Sequence, residues 1–184
     1  MRNVVMIMTA SVDGFVATPD GMPVGAMSEP EELKRWKLDR ISRAGAHLMG
    51  RKTYEGMSSY WPTSKDAYAA PMNEIPKIVF SKTLKKAEWP VSTIANGQLE
   101  DEIADLKRKR GGELIAWGGA SFVQSLSRSN LIDEYAIITS PRAYGGGKPM
   151  FLDLSSALEL ELLAASVYGD HLLRIYRPKD GRKI

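Results

Sequence analysis

Cysteine is absent from the 184 residues, so neither a disulfide framework nor a thiolate metal site can form. That absence fits a reducing, cytoplasmic setting. Histidine is nearly as scarce: His47 and His171 are the only two, too few and too far apart to suggest a metal centre. No apolar run approaches the roughly 20 residues that span a bilayer, so no membrane helix is expected. Before the apolar Val4-Val5-Met6-Ile7-Met8 there is one arginine and no small-residue cleavage site, which favours a buried strand over a signal peptide. Neither sign of charge dominates. The net charge of +3 is too small to argue for nucleic acid. There is no internal repeat. With 43% hydrophobic and 26% charged residues, the composition is that of an ordinary globular protein, and one buried core over residues 1–184 is expected.

The pattern alternates between strand and helix. Asn3 to Thr9 reads as a central strand buried on both faces, and a loop follows from Ser11 to about Met27. Ser28-Glu29-Pro30-Glu31 reads as a capping box opening a helix to about Ala44. Further strands are expected over Ala46–Met49, Lys77–Phe80, Val91–Ile94, Glu113–Trp117 and Glu134–Thr139. Helices are expected from Arg51, from Leu99 to Arg110, and from Ala120 to Ser129. The end of the chain gives two alternating runs, Leu158–Tyr168 and His171–Arg177. Gly169-Asp170 joins them as a two-residue hairpin turn. An α/β fold follows, with a mostly parallel twisted sheet, helices on both faces and an antiparallel C-terminal hairpin.

Open α/β sheets bind ligands beyond the carboxyl ends of their strands. Three strand ends here suit phosphates. At Gly50-Arg51-Lys52-Thr53 a strand hands over to a helix that starts with two cations, and a helix N-terminus adds unpaired N–H groups and partial positive charge. The same residues also suit a plain solvated helix start. At Trp117-Gly118-Gly119-Ala120-Ser121-Phe122 two glycines let backbone approach a ligand closely, although a simple turn has the same form. Phe80-Ser81-Lys82 offers a hydroxyl and a cation. Together the three suggest an extended ligand with several phosphates, such as a dinucleotide.

Taken in order, these segments resemble the dihydrofolate reductase superfamily. Val12-Asp13-Gly14-Phe15-Val16-Ala17, Gly21-Met22-Pro23 and Pro30-Glu31-Glu32-Leu33 look like its first strand, mobile loop and first helix. Met49 to Glu55 and Trp117 to Leu126 resemble its second helix start and cofactor turn. Ser11-Val12-Asp13-Gly14, Leu131-Ile132-Asp133-Glu134 and the stretch from Pro141 to Gly147 are closer to the reductase domain of bacterial riboflavin-biosynthesis enzymes. The resemblance implies an NADPH-dependent reductase. Arg51, Lys52, Ser81 and Lys82 would hold the 2′-phosphate, Gly50 and Thr53 would belong to the same helix start, and Gly118, Gly119, Ala120, Ser121 and Phe122 would cradle the pyrophosphate. Ala17 would lie near the nicotinamide. On the substrate side, Glu32 matches the family's carboxylate and Thr139 the threonine that hydrogen-bonds it. Asp13 is the alternative acid, and it also suits a simple Asp-Gly turn.

The sequence departs from folate reductases at Val24, where many carry tryptophan, and in a longer loop before Pro30. The resemblance therefore implies hydride transfer to a small heterocycle, first of the 5-amino-6-(5-phosphoribosylamino)uracil type, with dihydrofolate second. A flavin- or deazaflavin-dependent reductase, or a non-catalytic binding module, is open on the same fold. Without cysteine, the zinc deaminase chemistry often joined to the riboflavin reductase is excluded. A homodimer is expected from the resemblance. The hairpin leucines (Leu158, Leu160 and Leu162, against Leu173 and Ile175) suit either a core or such an interface. His47 reads as a hydrogen-bonded core residue and His171 as exposed. Lys107 to Arg110 reads as a solvated helix end rather than a nucleic-acid patch. Tyr60-Trp61-Pro62 could wall the pocket or pack beneath the second helix.

Overall fold

The computed structural model describes residues 1–26 and 28–179; Met27, the expected end of the first loop, lies outside them. Apolar β1 (Val4–Ser11) forms the middle of an eight-stranded sheet. In chain order the other elements are β2 (Phe15–Ala17), α1 (Glu31–Ser42), β3 (Ala46–Gly50), α2 (Arg51–Tyr60), α3 (Ala69–Glu74), β4 (Lys77–Phe80), β5 (Ser92–Ala95) and α4 (Leu99–Arg108). They continue with β6 (Leu114–Ala116), α5 (Ala120–Arg128), β7 (Glu134–Ser140), β8 (Lys148–Pro149), β9 (Leu160–Tyr168) and β10 (His171–Pro178). The sheet order is β5-β4-β3-β6-β1-β7-β10-β9. Pairings from β5 to β7 are parallel, and β10 runs antiparallel to both β7 and β9. This is the α/β fold expected, with its antiparallel hairpin.

Alternation along the strands divides the core. Val4 and Met6 face α4 and α5 together with Leu48, Leu114, Ala116 and Tyr135. Val5 and Ile7 face Leu33 of α1, with Ile115, Ala136, Ile138 and Leu173. A third cluster beneath α1, α2 and α3 gathers Ile41, Met49, Tyr54, Met72, Val79 and Trp89. The chain leaves β6 through α5 and returns as β7 on the far side of β1. That reversal, with six strands running in the same direction, makes the carboxyl ends of β1, β3, β4 and β6 the edge at which open α/β sheets take ligands.

Two expectations fail at α1. The capping box does not form, and the helix starts at Glu31 behind an extended Pro30 without a side-chain cap. A residue before proline is biased out of the α region, which keeps Glu29 off the helix, and Glu31 pairs with Lys34 at 2.7 Å instead. The buried stripe Leu33, Lys37, Ile41 then puts a lysine into the core at four-residue spacing, where Glu29 neutralises it. At the end of α4, Lys107 is not a solvated cation as expected: it is buried, with its ammonium 2.8 Å from Asp133. His171 is also buried rather than exposed.

A small second sheet pairs β2 with β8. It exists because Gly147 can hold φ +126°, with the Ala17 carbonyl oxygen 2.1 Å from where a Cβ would stand.

Candidate functional site

The carboxyl ends of three neighbouring strands form one surface. Gly50 closes β3 and is the register partner of Phe80 in β4, so Ser81 follows directly beside it. The Gly50 N–H donates to the Gly118 carbonyl at 3.4 Å, joining the β3 and β6 handovers. Thr53 Oγ1 lies 3.2 Å from the position of a Cβ on Gly119, and Phe122 Cβ stands 3.2 Å from that of Gly50. The rings of Phe80 and Phe122 stack with centroids 4.9 Å apart. A Cβ on Gly50 or Gly119 would press on the opposite handover, whose side chains would have to give way slightly.

Both helices here begin on glycine. Gly50 caps α2 and Gly119 caps α5, each in an extended conformation and each without a side-chain cap. Gly118 takes φ +87°, and its peptide bond to Gly119 is cis. The first N–H groups of two helices therefore open at one edge with no side chain occupying them, an anion-binding arrangement. Ala120 is buried and Ser121 exposed at the start of α5. Around this cradle stand exposed Lys52 and Lys82, and Arg51, whose guanidinium pairs with Glu55 at 2.9 Å. Ser81 Oγ accepts the N–H of Leu84 at 2.9 Å and of Thr83 at 3.2 Å, which shapes the turn after β4. The expected phosphate residues are thus brought together, while Ala17 lies in the small sheet, bridged to Pro23 and paired with Lys148.

Trp117, just before the glycine pair, is fixed from below. Its indole N–H donates to His47 Nδ1 at 3.0 Å, and His47 Nε2 lies 3.2 Å from the Pro71 carbonyl. An indole only donates and a carbonyl only accepts, so His47 is the neutral tautomer with its proton on Nε2. Burial holds its pKa down at about 4. The reading of His47 as a core residue is correct.

The substrate-side residues are not joined as expected. Thr139 lies opposite Ala10 in the β1–β7 register, on the same face as Ile137. Alternation puts Ile138, not Thr139, against Leu33 of α1. Thr139 Oγ1 accepts from Arg174 at 2.8 Å in place of any bond to Glu32. Glu32 is exposed and lies 3.5 Å from Arg35. Asp13 clamps two loops: its Oδ2 accepts the N–H of Gly145 at 2.7 Å and of Tyr144 at 3.0 Å. The Ser11 hydroxyl, then those amides, hold its carboxyl below the usual range.

No sequence motif marks the buried group that ties the first loop to α1 and α3. Glu29 accepts from Lys37 and, at 3.0 Å, from the Tyr68 hydroxyl, with both ion-pair partners almost wholly buried. Burial, then Glu29, raises the Tyr68 phenol above its ordinary pKa. Trp61 packs edge-on between Tyr60 and Tyr68 at 4.8 and 6.3 Å, in the cluster beneath α2 and α3.

Strand order and edge together define an α/β protein with the dihydrofolate reductase fold. The model of the RibD C-terminal domain matches residues 2–173, and the chain belongs to that family. Among solved structures it is similar to a protein from Shewanella sp. PV-4 assigned to riboflavin biosynthesis, with TM-score 0.79, 26% identity, and 97% of this chain and 99% of that one covered. It shares its fold with dihydrofolate reductase from Enterococcus faecalis (TM-score 0.66, 18% identity, 97% of each chain). A Thermotoga maritima deaminase/reductase also shares the fold, at TM-score 0.72 and 15% identity, covering 96% of this chain and 56% of that one. The Bacillus subtilis protein YyaP is 23% identical over 95% of this chain and 93% of its own length; its name states no activity.

Proposed function

We propose that the chain is a cytoplasmic, NADPH-dependent reductase that transfers hydride to a small heterocycle, of the 5-amino-6-(5-phosphoribosylamino)uracil reductase type. The observation that carries this reading is the pair of uncapped helix N-termini at Gly50 and Gly119, joined through the Gly118 carbonyl and flanked by Arg51, Lys52, Ser81 and Lys82. Family membership supports it, as does the Enterococcus faecalis relative, which is described as complexed with NADP(H).

In this reading the α5 start binds the pyrophosphate and the β3 and β4 ends bind the 2′-phosphate. NADPH supplies the hydride; the protein supplies position and electrostatics. Thermal denaturation with NADPH and NADH in parallel tests the cofactor, since a ligand at 100 times its dissociation constant adds about 2.7 kcal/mol. NADPH alone should raise the melting temperature. Arg51→Ala should weaken NADPH roughly 10- to 100-fold, the worth of one charge-assisted bond. An unchanged dissociation constant would remove Arg51 from the site.

For the proton, Asp13 is poorly suited, because three donors stabilise its ionised form. Glu32 has one exposed partner and is the carboxylate we assign to the substrate side. Glu32→Gln should lower kcat while leaving the NADPH-induced thermal shift intact. Turnover with a panel of reduced and oxidised pyrimidines and pterins separates this reading from a binding module, which would bind the nucleotide and oxidise none of it.

We further assign a homodimer. β9 is an edge strand exposing Leu162, Leu163 and Val167, the last 74% accessible. An apolar edge of this kind suits a second copy. Sedimentation equilibrium should find twice the chain mass, and Val167→Lys should shift it towards monomer.

A further inference from the structure

On the sheet face opposite α1, a cavity of about 450 Å³ lies between β1, β7, β9 and β10 and the crossing segment 149–151. Its size suits a small organic ligand. The walls are mainly apolar, from Ala10, Ile137, Met150, Phe151 and Leu160, and one cation, Arg174, enters from β10. No aspartate or glutamate lines the cavity among the described residues.

Arg174 is held but not satisfied. One terminal nitrogen donates to Thr139 Oγ1 at 2.8 Å, and the guanidinium carbon lies 5.9 Å from the centre of the Tyr176 ring. Its Nε is buried from solvent without an acceptor. That nitrogen is sealed from the cavity as well, so a bound anion would be met by the second terminal nitrogen of Arg174, which has no acceptor among the described residues. Thr139, having accepted from Arg174, keeps its own hydroxyl proton to give.

We propose that this cavity is a second ligand site, separate from the phosphate cradle, which takes a compact organic monocarboxylate. The carboxylate meets Arg174 and Thr139, and the apolar body lies against Ile137, Phe151 and Leu160. A single planar fork among apolar walls matches one carboxylate; a phosphate dianion would call for more donors than the cavity holds. The site is independent of the reductase reading, since it shares no residue with the two helix starts.

Calorimetric titration of the full-length protein with 4-methylpentanoate, 4-methylpentan-1-ol and inorganic phosphate tests it. The carboxylate should bind roughly 10- to 100-fold tighter than the alcohol, the ratio expected of a charge-assisted bond. Arg174→Gln should erase that preference and leave the alcohol's affinity unchanged, whereas Arg177→Gln, at an exposed site on the same strand, should preserve it. Equal affinity for acid and alcohol, a preference that survives Arg174→Gln, or phosphate binding as tightly as the acid would each overturn the assignment. So would carboxylate affinity that falls with rising protein concentration, because a second copy would then occupy the cavity. If Arg174→Gln does not fold, Phe151→Trp, which fills the cavity, must abolish carboxylate binding; undiminished binding would refute the site.

Discussion

His47 and Lys77 are both fully buried, and both give the protein's stability a pH dependence of known sign. Burial lowers the His47 pKa from 6.5 to about 4. Between those values the unfolded chain binds a proton that the folded one refuses, so stability falls as pH drops through that window. The loss amounts to about 3 kcal/mol at most. Urea titrations from pH 7 to 4 should show this slope, and His47→Gln should flatten it. Lys77 donates to the carbonyls of Met72 and Asn73 at 3.2 and 2.6 Å, closing the end of α3, and stands 4.5 Å from the Trp89 ring centre. Desolvation lowers its pKa to about 8. Again the unfolded chain holds the extra proton, so stability should rise from about pH 8 towards 10.5. A urea midpoint that fell over that alkaline window, while Lys77→Met removed no slope, would show that this lysine is not the titrating group.

Among the elements, α1 carries an unusual interior. Lys37→Ala would leave Glu29 buried beside Tyr68 without its cation, at a loss of about 3–5 kcal/mol. Replacing both partners, as Lys37→Met with Glu29→Leu, should recover much of it; denaturant midpoints of the two variants decide. Gly147→Ala should be as damaging, because a methyl group would meet the Ala17 carbonyl at 2.1 Å. Asp13→Ala should instead leave the sheet intact and loosen 141–147, seen as new proteolytic cleavage there. Long elements could be read from residue pattern alone: β1 as a continuous apolar run, and β9 and β10 as alternating runs joined at Gly169-Asp170. Short ones could not: β2 and β8 have three and two residues, and α3 is a single six-residue stretch containing Pro71. The meeting of the β3, β4 and β6 ends was legible because glycines and cations cluster where those strands end. The Thr139 assignment failed because strand alternation, invisible to motif order, turns Thr139 away from α1. Arg174, Glu29 and Tyr68 act through contacts 35 to 39 residues distant in sequence, beyond any local signal.

For the whole molecule, no helix among the described residues is long and apolar enough to cross a membrane. We propose that the chain unfolds as one unit, because Met6, Leu48, Leu114 and Tyr135 pack in one cluster across four central strands. Heating should give one calorimetric transition whose enthalpy equals the van't Hoff value, and two resolved transitions would divide the chain. The placement of β1 has a further consequence during synthesis. Its neighbours in the sheet begin at Leu114 and Glu134, so this apolar segment is synthesised well before the strands that cover it. At 5–20 residues per second, Val4 to Met8 would wait roughly 5 to 20 s before β6 is made. During that interval the nascent chain presents five consecutive apolar residues, a natural site for a holding chaperone, and moving them to the end of the chain by circular permutation should shorten that exposure.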